Sequence, residues 1–133
     1  SDIIGRKLST LASYILAAIS LYFFTQAGAD NTTNLWILLF FASLFNFAAL
    51  AILAGPVAAE AAPPGMLASM AGFVIFAGEF VGGGISPIIA GRIAMAGGAD
   101  GLKHALYFAA SGLVIGFIVA LFLKETAPRK LKA

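Results

Sequence analysis

One carboxylic acid, Glu79, lies inside a long apolar stretch of the sequence, residues 66–90. An ionised group at the centre of a lipid bilayer costs about 2.5–3.5 kcal/mol, so it should face protein or water rather than lipid. At helical spacing Glu79 shares a face with small residues, among them Gly83 and Ser86. Two interpretations follow: Glu79 binds and releases a proton, or it is a neutral acid that hydrogen-bonds to a neighbouring helix.

A second polar group, the amide of Asn46, lies inside the apolar stretch 35–59, with Ser43 and Trp36 on the same side at helical spacing. Asn46 and Trp36 could contact a solute along this side. Alternatively, Asn46 forms an interhelical hydrogen bond of about 1 kcal/mol, and Trp36 anchors the end of the helix at the membrane surface. The sequence leaves both interpretations open.

The chain lacks the residues that most catalytic chemistry requires. There is no cysteine, and the single histidine, His104, cannot form a multi-histidine metal site. The motifs of serine hydrolases, zinc proteases and phosphate-binding loops are absent from the sequence. We therefore expect no enzyme activity, no metal and no cofactor.

The composition is that of a membrane protein. Hydrophobic residues make up 61% of the 133 residues and charged residues only 11%, against about 25% charged in soluble domains, and the mean hydropathy is +0.99. Because about 20 apolar helical residues cross a bilayer, the sequence predicts an all-α integral membrane protein, a single membrane segment over residues 1–133. The four predicted transmembrane helices are residues 8–27, 35–59, 66–90 and 105–123.

Pairs of glycines at helix-packing spacing occur in the last two predicted helices. They are Gly78 with Gly82, and Gly112 with Gly116. In lipid such pairs let two helix backbones approach closely, which predicts packing within one bundle or, alternatively, a dimer face. The three glycines at 82–84, followed by Pro87, predict a bend in the third helix.

The basic residues predict the orientation in the membrane. Four helices put both termini and the loop 60–65 on one side, which then holds six of the eight lysines and arginines. The positive-inside rule places this side in the cytoplasm. Because these residues flank apolar stretches, the net charge of +2 does not indicate a nucleic-acid partner.

Four segments in order resemble the major facilitator superfamily. The first, Asp2-Ile-Ile-Gly5-Arg6-Lys7, is similar to the end of the superfamily's Gly-x-x-x-Asp-x-x-Gly-Arg-Lys/Arg loop signature. The second, Glu60 with its proline pair, is similar to the loop between helices 10 and 11. The third, Gly78 to Gly91, is similar to helix 11 and its exit. The fourth, Lys124-Glu-Thr-Ala-Pro128, is similar to the tail after helix 12. The resemblance implies that the chain comprises helices 9 to 12 of a twelve-helix transporter and lacks the N-terminal helices.

The resemblance also implies a function and a location. A major facilitator protein is a secondary transporter that moves a small solute by alternating access, in some members by symport with a proton. Asp2, Gly5, Arg6 and Lys7 would then belong to a cytoplasmic gating motif. Asn46, Trp36 and Glu79 would belong to the substrate or proton pathway, in a protein of the inner or plasma membrane.

Two other functions remain open from the sequence. The chain could be a four-helix transporter that dimerises, as small multidrug resistance proteins do. Those proteins carry an essential carboxylate in their first helix, whereas residues 8–27 contain none. The chain could also be a membrane scaffold that transports nothing.

Overall fold

In the computed structural model, which describes residues 3–27 and 31–126, the chain is all-helical. Four stretches of helix are long and apolar enough to cross a membrane, and we call them spans 1 to 4: Arg6–Gln26, Thr32–Ala61, Leu67–Ala96 and Gly98–Leu121. Their α-helices are α1 (Arg6–Gln26), α2 (Thr32–Ile52), α3 (Ala58–Ala61), α4 (Leu67–Gly78), α5 (Ser86–Ala96) and α6 (Gly101–Leu121). Leu53–Val57 and Glu79–Ile85 are π-helical, and Gly98–Asp100 is a 3₁₀ turn.

The connection between spans 3 and 4 is shorter than the predicted loop 91–104. The helix continues past Gly91 and Arg92 to Ala96, and α6 begins at Gly101. Two glycines are enough for the reversal, because Gly98 has a positive φ of 56° and Gly101 lies so close to the carbonyl of Ala94 that a Cβ would not fit. The predicted loop was therefore wrong over residues 91–96 and 101–104, which are helical.

Small side chains form the buried core, and large apolar side chains face outward. The buried residues of α1 are spaced by three and four positions: Arg6, Thr10, Ser13, Ala17 and Ser20. The buried apolar residues of the described chain are all alanines, whereas the exposed residues include phenylalanines such as Phe47 and Phe73. This pattern suits helices that pack in lipid, where close backbone contact rather than a large apolar core drives association.

The buried residues Thr10, Ser13, Ala17 and Ser20 form a seam along α1, and its three hydroxyl groups donate hydrogen bonds to backbone carbonyls of the same helix. Thr10 donates to the carbonyl of Arg6 at 2.9 Å, and Ser20 donates to that of Leu16 at 2.8 Å. Each hydroxyl therefore has a partner without water, as a lipid environment requires.

Spans 1 and 4 form the centre of the bundle, and spans 2 and 3 diverge from each other. α1 packs against both α2 and α6, and α5 packs against α6. In the part of the chain that the structure describes, α2 contacts neither α4 nor α5, and α4 touches only its own span and the end of span 2, residues 53–61. Spans 2 and 3 thus meet near their connecting turn and leave a cleft between them.

Candidate functional site

The cleft between spans 2 and 3 is open and has a volume of about 890 Å³, within the range of about 300–1,000 Å³ found for small-molecule sites. Spans 2 and 3 form its walls, and spans 1 and 4 form its floor. Both walls contain a π-helical segment, whereas α1 and α6 run 21 residues each without interruption. π-Helical turns occur often at functional sites.

Asn46 and Ser43 line this cleft, so the structure brings together two of the polar residues on one side of span 2. The other lining groups with polar side chains are Tyr14, Ser86 and Ser111. None of the described lining residues carries a charged side chain at neutral pH. The cleft therefore offers one amide and several hydroxyls in a mainly apolar surface.

Trp36 and Glu79 lie outside the lining of the cleft. Trp36 is 69% exposed near the start of α2, which suits an anchor at the membrane surface. Glu79 is also exposed, at the first position of the π-helical segment of span 3. Their proposed contact with a solute or a proton stays a prediction, and the cleft itself gives it no geometric support.

The four predicted packing glycines have different surroundings. A Cβ at Gly116 would lie 2.8 and 2.9 Å from two ring carbons of Tyr14, so this glycine does pack α6 against α1. Gly78, Gly82 and Gly112 have no described neighbour within 4 Å of such a Cβ, and all three line the cleft. Because spans 2 and 3 diverge, these three glycines do not pack against another described helix.

A charged cluster joins three chain segments at one end of the bundle. The Arg6 guanidinium donates to Oε1 of Glu60 through Nη2 at 3.0 Å and through Nε at 3.3 Å. Arg6 begins α1, and Glu60 lies at the end of span 2. Because Arg6 is 8% exposed, this ion pair is better shielded from solvent than an ordinary surface pair.

Glu125 completes the cluster from the end of the described chain. Its Oε1 accepts the backbone N–H of Arg6 at 2.8 Å, which satisfies a free donor at the start of α1. A negative charge at this position also interacts favourably with the helix dipole. Gly5 has a φ of 110°, and its missing side chain leaves the space that the Glu125 carboxylate fills. We call Arg6, Glu60 and Glu125 the Arg6 cluster.

Lys7 makes a further connection at the same end. Its Nζ donates to the carbonyl of Leu121, the last residue of α6, at 2.6 Å, where a cation also complements the helix dipole. The structure thus brings Gly5, Arg6 and Lys7 of the predicted gating motif together with the ends of spans 2 and 4. Asp2, the fourth residue of that motif, lies outside the described residues.

Two parts of the site were not predicted from the sequence. Tyr14, which lines the cleft and packs on Gly116, follows Ser13 in an apolar stretch, where nothing in the sequence distinguishes it from the other aromatic residues. The seam of Thr10, Ser13, Ala17 and Ser20 was open to prediction, because its three- and four-residue spacing of small side chains is the pattern of a packed transmembrane helix.

This arrangement could hold a small solute through hydrogen bonds in the cleft and could couple helix positions through the Arg6 cluster. Within residues 3–27 and 31–126, no three histidines or acidic residues come close enough together to hold a metal ion. Comparison of the chain with protein-family models, with curated proteins and with solved structures gave no match.

Proposed function

We propose that this chain is the C-terminal part of a secondary active transporter of the major facilitator superfamily, with spans 1 to 4 as helices 9 to 12. The observation that carries the proposal is the Arg6 cluster, in which one arginine contacts two carboxylates from distant parts of the chain. These residues are also the ones that resemble the superfamily's loop signature and tail.

The Arg6 cluster would act as the gate at the cytoplasmic face. Charge-assisted hydrogen bonds of this kind are strong and directional. Alternating access needs contacts that form in one conformation and break in another, because only such contacts shift the equilibrium between conformations. Arg6 and Lys7 hold the start of span 1 to the ends of spans 2 and 4, which would favour the conformation with this face closed.

The cleft would form one wall of the solute pathway. Asn46 and Ser43 supply the polar contacts on span 2, and Ser86 supplies one on span 3. The irregular segments Leu53–Val57 and Glu79–Ile85 belong to the two spans that form the walls, and changes of helix direction there would open or close the cleft. The missing N-terminal helices would supply the rest of the solute site.

Reconstitution of the purified 133-residue chain tests the proposal against the dimeric alternative. Alternating access in this superfamily needs two helix bundles around one site, so liposomes containing the chain alone should show no gradient-driven uptake of a cationic dye. Gradient-driven uptake by the isolated chain would contradict the proposal and favour the small multidrug type. An antibody against the chain should also detect a native polypeptide about three times its mass of 13.7 kDa.

A further inference from the structure

Glu79 carries a carboxyl group near the middle of a membrane span, and no described residue of the chain is its partner. Among the described residues it forms no hydrogen bond and no ion pair, and it is exposed. It lies 12 residues after Leu67 and 17 before Ala96. At 1.5 Å per residue it is about 18 Å into the span, near the centre of a bilayer core about 30 Å thick. An acid that faces hydrocarbon there is strongly disfavoured.

Gly72 and Gly83 lie on the same side of the helix as Glu79 at helical spacing, and the exposed rings of Phe76 and Phe80 lie beside them. The carboxylate of Glu79 lies along its own helix, because a Cβ built at Gly83 would be 2.8 Å from Oε2 of Glu79. Gly72, two helical turns before Glu79 on the same side, has open space beyond the backbone. Small residues around a polar group are typical of a surface where transmembrane helices pack.

No cation in the described spans can reach this carboxylate. Arg92 is in the same span but 13 residues further along, about 20 Å away. Arg6, Lys7 and Lys103 lie near the ends of spans 1 and 4. The segment Glu79–Ile85 contacts only α4 and α5, the two parts of its own span.

We propose that Gly72, Glu79 and Gly83, which we call the Glu79 face, form the docking surface for a further transmembrane helix that carries a lysine or arginine at mid-depth. A cation opposite Glu79 donates hydrogen bonds to its carboxyl group and opposes its negative charge, whereas an apolar partner leaves a polar group without a partner in the hydrocarbon. This inference rests on the proposed function in one respect, since the helix would belong to the missing part of the transporter.

Synthetic transmembrane peptides test this chemistry directly. Three apolar peptides share a glycine pair four residues apart and differ at one central residue, which is arginine, leucine or glutamate. The chain has no cysteine, so an Ala99→Cys variant accepts a single dye, and energy transfer in phosphatidylcholine vesicles reports association. The arginine peptide should bind at least ten-fold more tightly than the leucine peptide, and the glutamate peptide should bind least.

Three variants test whether Glu79 causes the preference for the arginine peptide. Glu79→Gln should remove the preference for arginine, and Glu79→Lys should reverse it in favour of the glutamate peptide. Phe73→Gln, which adds the same amide at a 67% exposed position of the same helix, should leave it unchanged. Circular dichroism should show equal helix content in all variants.

Two results would overturn the inference. One is equal binding of the arginine and leucine peptides. The other is energy transfer between two labelled copies of the chain, if the Glu79→Gln substitution abolishes that transfer. This result would assign the Glu79 face to a second copy of the chain. The assay contains no solute and no gradient, so its failure would leave the transport proposal untouched. Conversely, a failure of the transport proposal would not change the measured preference for the arginine peptide.

Discussion

The backbone N–H of Arg6 donates a 2.8 Å hydrogen bond to the carboxylate of Glu125, 119 positions later in the sequence. The contact joins the start of span 1 to the segment that follows span 4 and caps a helix end that would otherwise have free donors. Because the Arg6 side chain also contacts Glu60, one residue connects three of the four spans. The predictions about stability and gating follow from this connection.

Gly5→Ala should lower the stability of the chain in detergent by about 1–3 kcal/mol, because alanine is strained at a φ of 110° and its Cβ displaces the Glu125 carboxylate. Gly65→Ala is the matched control: Gly65 also has a positive φ, 81°, but no neighbour within 4 Å. Thermal unfolding followed by circular dichroism should show the larger loss for Gly5→Ala. Equal losses of stability would mean that the contact between the Glu125 carboxylate and the start of α1 does not stabilise the chain.

In the proposed full-length transporter, Arg6→Ala should slow turnover more than it weakens solute binding. Under the proposed function the Arg6 cluster acts on the equilibrium between conformations, and its residues do not line the cleft. Rates of solute exchange and equilibrium binding should be measured on the same preparation, with Arg92→Ala as a control outside the cluster. An equal loss of binding and turnover would contradict a gating role.

Gly116→Ala should destabilise the isolated chain by about 1–3 kcal/mol through overpacking against the Tyr14 ring. Gly112→Ala, one helical turn earlier, meets open space in the described chain. It should stabilise α6 by about 0.5–1 kcal/mol, because alanine loses less backbone entropy in a helix. Unfolding in detergent compares the two variants, and a destabilising Gly112→Ala would indicate that the isolated chain closes the cleft or dimerises there.

A reporter enzyme that is active only outside the cytoplasm should be inactive when fused to Ala133, because six of the eight basic residues flank that side of the predicted topology. The same reporter inserted between Gly28 and Ala29 should be active, since the connection between spans 1 and 2 lies on the opposite side of the predicted topology. Strong activity at Ala133 would reverse the predicted orientation.

The lengths of the apolar stretches were enough to predict four helices, because lipid leaves the backbone few alternatives. Their ends were harder to predict: the helix continues past Gly91, whereas Gly98 and Gly101 allow the turn between spans 3 and 4. The place of Asn46 in the cleft depends on how spans 2 and 3 diverge, and no local pattern encodes this. The contact between Arg6 and Glu60 likewise depends on tertiary packing, although each charge stood at a predicted helix end.

Cysteine accessibility at position 46 in the proposed full-length transporter tests alternating access most directly. The 133 residues contain no cysteine, so, once any cysteines in the rest of the protein are replaced, Asn46→Cys gives a single thiol in the cleft. A water-soluble thiol reagent that cannot cross the membrane should modify this thiol from either side, each in one conformation, and solute should slow both reactions. Phe47→Cys, at the adjacent and 65% exposed position, should remain unmodified in lipid. Modification of Asn46→Cys from one side only, or from neither, would contradict the account.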